Sequence, residues 1–355
     1  MKIALIHFRI AQVGGLETRL KNYLHYFTQR GDEVTIVHAR QDMHIQLPDR
    51  VHLHKINCRW IPKPLRMWWF GKHSASFLQQ SQFDLSLSLG RTPGQQLLIC
   101  PGTHIGYLQA MHIQVPSPVD YLNIYLDRQA FRTSGIILSA SRMIAREVTG
   151  LYRIAQEKVQ TLYPPSDPDV FNFSLRRQRL QLQRALGIAP HKKSFLFVSS
   201  GHQRKGLPLL LQIFSSLRSK AVHLYIAGAP VKYRLPDNVS FLGFTPDMQK
   251  VYPAVDALIH PAAYEPFGQI VSESLMCGTP VIVSQKTGAA ELVQPDEGLV
   301  IPSFKPADWQ QAIERFCDMR LTVKEGFAER NRLTPAHHLG DMLEIWSKAR
   351  SRQLI

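Results

Sequence analysis

The stretch "EPFGQIVSE" sets Glu265 and Glu273 around a glycine-bearing turn, with seven residues between the two carboxylates. Such a pair reads as chance, as a helix cap with a surface charge, or as two contacts to one ligand. Pro266 is placed to start a helix here and Gly278 to end it. Ile270, Val271, Ser274 and Leu275 would form its buried stripe, with Glu273 pointing away from that face. Glu265 stands just before the first turn, whose N–H groups at Phe267 and Gly268 are then expected to donate toward a ligand.

Other loops carry complementary chemistry. In "SGHQRKG", residues 200–206, Arg204 and Lys205 could aim two cations at a diphosphate, with Gly201 and Gly206 keeping the backbone accessible. In "VGGLE", residues 13–17, Gly14 and Gly15 allow close backbone approach where a helix N-terminus favours phosphate. That loop lacks G-x-G-x-x-G spacing, and a plain tight turn fits it equally well. His104 follows the apolar run "QLLIC" in a glycine-flanked loop, open to a structural, surface or catalytic role. Asp167 and Asp169 form an Asp-x-Asp inside a Pro-rich segment, which favours turn chemistry over metal binding. No His/Cys cluster or nucleophile elbow occurs, so no metal is expected.

The elements that must position these loops alternate. "KIALIHF" is a buried strand and not a signal peptide, and "LETRLKNYLHYFTQRG" follows as a helix that Gly31 stops. "EVTIVHA", "FDLSLSLG" and "SGIILSAS" are further strands. "LYPPSDPDVFNFS" reads as a linker, after which "KSFLFVSSG" starts a second series, with "HQRKG" as its first loop. "VHLYIAG", "VSFLGF", "DALIHP" and "TPVIVS" continue it. Two successive α/β halves imply two Rossmann-like domains with a cleft between them, and ligands beyond the carboxyl ends of their strands.

Composition narrows the partners. The 355 residues include 42 Lys/Arg against 27 Asp/Glu, a net charge of +15. Residues 1–165 alone hold 19 basic and 10 acidic side chains. That excess favours an anionic partner: nucleic acid, a membrane surface or a phosphorylated substrate. No zinc-finger spacing, recognition helix or aromatic RNA-binding motif accompanies it, which argues against nucleic acid. No run of about 18 apolar residues suggests a spanning helix. Four scattered cysteines fit buried thiols in a reducing compartment. Trp60, Lys63, Arg66, Trp68 and Trp69 form a basic, aromatic stretch suited either to a headgroup layer or to core packing.

In this order, "GGLE", "RKG", "EPFGQIVSE" and "GTPVIVSQKTGAAELV" resemble the retaining glycosyltransferases of family 4, of the GT-B fold. Within that family, "FDLSLSLGRTPGQQLLICPGTH" and "LYPPSDPDVF" look most like the lipopolysaccharide core glucosyltransferase I type. The resemblance implies an α/β chain of two Rossmann-like domains facing each other across a cleft. An acceptor- and membrane-side domain would span 1–164 and a donor domain 165–335, with a helix over 336–355 returning to the first. It further implies a metal-independent, retaining hexosyltransferase without a cofactor, whose co-substrate is a nucleotide-diphosphate sugar, UDP-linked for preference. The acceptor would be a glycolipid or lipopolysaccharide core, met at the cytoplasmic face of the membrane by a peripheral protein.

The same resemblance assigns residues. Arg204, Lys205 and Gly201, with Gly14 and Gly15, would contact the diphosphate, and Glu273 the ribose. Glu265 would sit beside the transferred sugar, whose hydroxyls Phe267, Gly268, Gln269 and Ile270 would line. Glu17 and His104 would lie on the acceptor side, His104 with a catalytic role. Many relatives carry an arginine where His202 stands, so the Arg204–Lys205 pair would do that work alone. An epimerase or phosphorylase on the same architecture, or a non-catalytic nucleotide-sugar-binding relative, is the alternative.

Overall fold

The computed structural model describes residues 1–11, 15–42, 50–217 and 221–355, and forms two compact units. Unit 1 is Met1–Pro165 with Pro335–Ile355; unit 2 is Ser166–Thr334.

Unit 1 contains β1 (Lys2–Ile6), β2 (Glu33–His38), β3 (Val51–Lys55), β4 (Leu85–Ser88), β5 (Leu97–Cys100), β6 (Ile136–Ser139) and β7 (Val159–Thr161). They form one parallel sheet in the order β3-β2-β1-β4-β5-β6-β7. The continuous apolar runs of β5 and β6 are buried throughout, as strands covered on both faces must be. Helix Gly15–Gln29 contributes Leu20, Tyr23 and Phe27 to the core, and helix Pro335–Ser351 contributes Leu339, Met342 and Trp346. His338 on the latter helix is fully buried. Its Nδ1 donates to the Tyr163 carbonyl at 2.8 Å, leaving Nε2 to accept from the Tyr23 hydroxyl at 2.6 Å. Burial pushes its pKa down to about 3.

Unit 2 contains β8 (Lys193–Ser199), β9 (Val222–Gly228), β10 (Val239–Gly243), β11 (Ala257–His260), β12 (Val281–Ser284) and β13 (Gly298–Ile301). Their parallel sheet has the order β10-β9-β8-β11-β12-β13. Phe195, Phe197, Phe214, Trp309 and Phe316 are among its largest core side chains. In both units the first six strands therefore run third, second, first, fourth, fifth, sixth. In such a sheet the chain leaves the first strand one way and returns beside it as the fourth, opening a crevice at their carboxyl ends. In unit 2 that crevice lies between residues 200–206 and 261–268. The Asp167–Asp169 pair is a turn: the Asp169 and Phe171 N–H groups donate to Asp167, each at 2.9 Å.

Candidate active site

Beyond β8, residues expected to form a loop instead form a short helical turn, His202–Lys205. Gly206 closes it with φ +87°, and a Cβ there would stand 2.3 Å from the Pro261 carbonyl oxygen. Only glycine fits, so Gly206 serves close packing more than ligand access. At Gly201, by contrast, a Cβ would meet nothing within 4 Å. The turn delivers two cations to the facing segment. Arg204 donates through Nη1 to the Tyr264 carbonyl and to Glu265 Oε2 at 3.1 Å, and its own carbonyl accepts from the Ala263 N–H at 2.9 Å. Lys205 Nζ lies 3.8 Å from the same Glu265 oxygen.

A third nitrogen, Nε2 of the fully buried His260 at the end of β11, lies 3.6 Å from Glu265 Oε2. Burial pushes the Glu265 carboxyl up, but His260, Lys205 and Arg204 together outweigh it and bring its pKa down to about 2. Burial lowers the Lys205 pKa, opposed by attraction to Glu265 and Glu273.

Segment 265–267 is tethered to residues 286–289. Glu265 N–H donates to the Lys286 carbonyl at 2.9 Å, Gly288 N–H returns to Glu265 at 2.9 Å, and Ala289 N–H bonds Phe267 at 2.7 Å. These bonds hold the segment in a bridge to Thr287, so the helix starts at Gln269 and not at Pro266. Gly268, at φ +89°, makes the entry turn where a Cβ would crowd Thr287 and Glu265. The buried face is Val271, Ser272, Ser274, Leu275 and Met276; Ile270 is half-exposed, contrary to its expected place in the stripe. Gly278, at φ +74°, follows the helix end as expected. Glu273 is not on an open face. The fully buried Tyr252 donates its hydroxyl to Glu273 Oε2 at 2.7 Å, and burial raises the pKa of that carboxyl.

In unit 1, Gly14 lies outside the described residues, as does the Glu17 side chain, while Gly15 opens its helix. His104 is buried at the start of helix His104–Ala110, capped by Thr103. Its Nε2 is 2.8 Å from Asp120 Oδ1, and its N–H donates to Asp127 Oδ2 at 2.8 Å. The Ser117 hydroxyl and N–H, and then His104, bring the Asp120 pKa down to about 2. Buried Asp127 also accepts from the Tyr152 hydroxyl at 2.7 Å and pairs with Arg91 Nε at 2.6 Å. In helix Arg66–Gln80, Trp69 stacks on His73 and packs on the apolar core, whereas Lys72 lies over Trp68. Arg66 bonds the Ile61 carbonyl, Lys63 is exposed, and Trp60 is 84% exposed beneath Arg59.

His260, Tyr252, Asp120 and Asp127 escaped the reading of the sequence. His260 left one signal, a polar residue closing the apolar strand "DALIH"; the other three left none.

A family of glycosyl transferases, group 1, matches residues 178–334, and Glycosyltransferase Family 4 matches residues 13–170. The chain carries the two domains of a GT-B glycosyltransferase. This glycosyltransferase is 28% identical over 308 residues to a probable transglycosylase of Burkholderia thailandensis, covering 84% of the chain and 83% of that relative. Its fold matches that of WaaG, a glycosyltransferase involved in lipopolysaccharide biosynthesis, with TM-score 0.77 and 18% identity over 99% and 98% of the two chains. Anabaena HepE, solved in complex with UDP and glucose, matches with TM-score 0.70 and 15% identity over 98% and 99%.

Proposed function

We propose that the chain is a retaining hexosyltransferase that takes a nucleotide-diphosphate sugar, UDP-linked for preference, and glycosylates a lipid-linked or lipopolysaccharide-core acceptor. The observation that carries this reading is the convergence of Arg204 and Lys205 on Glu265 at the carboxyl edge of β8 and β11. Two cations at the crevice of a doubly wound sheet suit a diphosphate, and Glu273 beside Lys205 suits ribose hydroxyls. Gly201 offers open backbone to the phosphates, and Gly14 and Gly15 are assigned to the same group. Phe267, Gly268, Gln269 and Ile270 line the sugar next to Glu265. The UDP held by HepE supports the donor class, and the involvement of WaaG in lipopolysaccharide biosynthesis supports the acceptor class.

The chemistry follows from charge. As the bond from the sugar's anomeric carbon to the diphosphate breaks, negative charge grows on the departing oxygen, where Arg204 and Lys205 stabilise it. The acceptor hydroxyl attacks the same face of an oxocarbenium-like ion pair, and its proton passes to the leaving phosphate. Retention then needs no enzyme nucleophile and no metal. Unit 1 is assigned the acceptor, with Glu17 and with His104 held by Asp120. It is also assigned the membrane: Trp60, Lys63, Arg66, Trp68 and Trp69 are joined by Val115, 87% exposed, and Tyr121, 61% exposed. Each nearby Lys or Arg would contribute about 1 kcal/mol on anionic headgroups. Among the described residues no helix is long and apolar enough to cross a membrane, and a peripheral protein on the cytoplasmic face is proposed.

Transfer of radiolabelled sugar to a glycolipid acceptor, comparing wild type with Glu265→Ala and Lys205→Ala, tests the reading. Undiminished transfer by either variant would refute the site. Thermal stabilisation by UDP-glucose, UDP-galactose, UDP-N-acetylglucosamine or GDP-mannose identifies the donor. Epimerised or phosphorolysed sugar formed without acceptor would point to the alternative enzyme classes.

A further inference from the structure

His260 has an anomalous environment. It is completely buried, and neither ring nitrogen has a hydrogen-bond partner. Buried polar groups are nearly always paired, so an unpaired imidazole aimed at a functional carboxylate calls for a physical account. Its Nε2 stands 3.6 Å from Glu265 Oε2, which is contact but beyond a hydrogen bond. That oxygen is held meanwhile by Arg204 at 3.1 Å and has Lys205 at 3.8 Å. The three nitrogens converge on one oxygen, and among the described residues none of these contacts involves Glu265 Oε1.

We propose that His260 is a positioning residue for Glu265, a reserve donor that takes over Oε2 when a diphosphate draws Arg204 and Lys205 away. The inference rests on the donor-site reading above. A diphosphate competes for both cations, and Glu265 would then lose its partners while remaining largely buried, free to turn toward the phosphates and repel them. A contraction of well under 1 Å brings His260 Nε2 into hydrogen-bond range. Oε2 stays fixed, and Oε1 faces the sugar in one orientation. The charged groups facing His260 are Glu265, Lys205 and Arg204. Burial lowers its proton affinity and the two cations lower it further, against Glu265, so the ring is held neutral. The neutral Nε2–H tautomer makes the new bond, with no proton transferred and no covalent step.

A double-mutant cycle tests this. Transfer kcat and donor KM are measured for wild type, His260→Leu, His260→Gln, Glu265→Ala and the double variant His260→Leu with Glu265→Ala. His260→Leu is expected to lower kcat roughly tenfold or more, and His260→Gln, which keeps an N–H donor, to recover most of that loss. In the Glu265→Ala background, where no acceptor oxygen is left, His260→Leu should add little. Equal losses from His260→Leu in both backgrounds, or no recovery by His260→Gln, would overturn the positioning role while leaving the donor site intact. Unimpaired transfer by Glu265→Ala would overturn both the donor-site reading and this proposal.

Discussion

The two sheets share one order over their first six strands but carry carboxylates of opposite character. In unit 2, Arg204 and Lys205 approach a carboxylate that remains 15% exposed at the carboxyl edge. In unit 1, the carboxylate of Asp127 is buried and bonded by Tyr152, the His104 N–H and Arg91. A carboxylate enclosed by donors from three elements is a structural brace. One partly exposed beneath two cations can exchange partners with a ligand. The same topology thus carries an enclosed carboxylate in one unit and a partly open one in the other.

The largest expected contrast is in acid. His338 in unit 1 is neutral with a pKa near 3, against an ordinary value of 6.5. Its folded-state pKa is depressed, so its contribution is complete above about pH 6.5 and lost as pH falls toward 3, up to about 5 kcal/mol. Glu265 in unit 2 is depressed from 4.5 to about 2, so its contribution, about 3 kcal/mol, is lost only between those values. Hydrogen exchange measured peptide by peptide should show the peptides holding Tyr163 and His338 losing protection as pH drops from 6 to 4. Protection there that is unchanged down to pH 4 would break the contrast.

Substitution should separate brace from exchange site. Glu265→Gln should lower transfer by about 10²–10³-fold with little change in Tm, because the amide oxygen still accepts from Arg204. Asp127→Ala should do the reverse in kind: it orphans Arg91 and the Tyr152 hydroxyl and costs roughly 3 kcal/mol of stability. Thermal denaturation beside the transfer assay checks both. A smaller effect contrasts two glycines of one loop. Gly206→Ala, clashing with the Pro261 carbonyl at positive φ, should cost roughly 1–3 kcal/mol, whereas Gly201→Ala should leave Tm unchanged.

The fold and the unit 2 half of this contrast are legible in the sequence, and the limits of that legibility have physical causes. Apolar runs such as "LLIC" and "VIVS" declare buried parallel strands because each is covered on both faces, and their alternation with helices declares two doubly wound sheets. Arg204, Lys205 and Glu265 are legible because local spacing places them just beyond strands, and Glu273 because it falls on the helix that follows. The helix start at Gln269 was not, because hydrogen bonds from residues 286–289 override the local preference of Pro266. Tyr252 and Asp127 were hidden for the same reason. Their partners are 21 and 25 residues distant, and only the packing of separate elements brings them together.

Tyr252 gives the smallest and most discriminating prediction. Its hydroxyl fixes one oxygen of Glu273, and burial raises that carboxyl's pKa, opposite in direction to Glu265. Tyr252→Phe keeps the ring packed and removes only the donor, so stability should fall by about 1 kcal/mol. Without the phenol the buried charge is less favourable and the Glu273 pKa rises further. If Glu273 holds the ribose as an anion, donor KM should then rise several-fold in the variant, more at pH 6 than at pH 8, with kcat nearly constant. A kcat loss at constant KM would instead place Glu273 with the transferring sugar, and the two glutamates would no longer divide the donor between them.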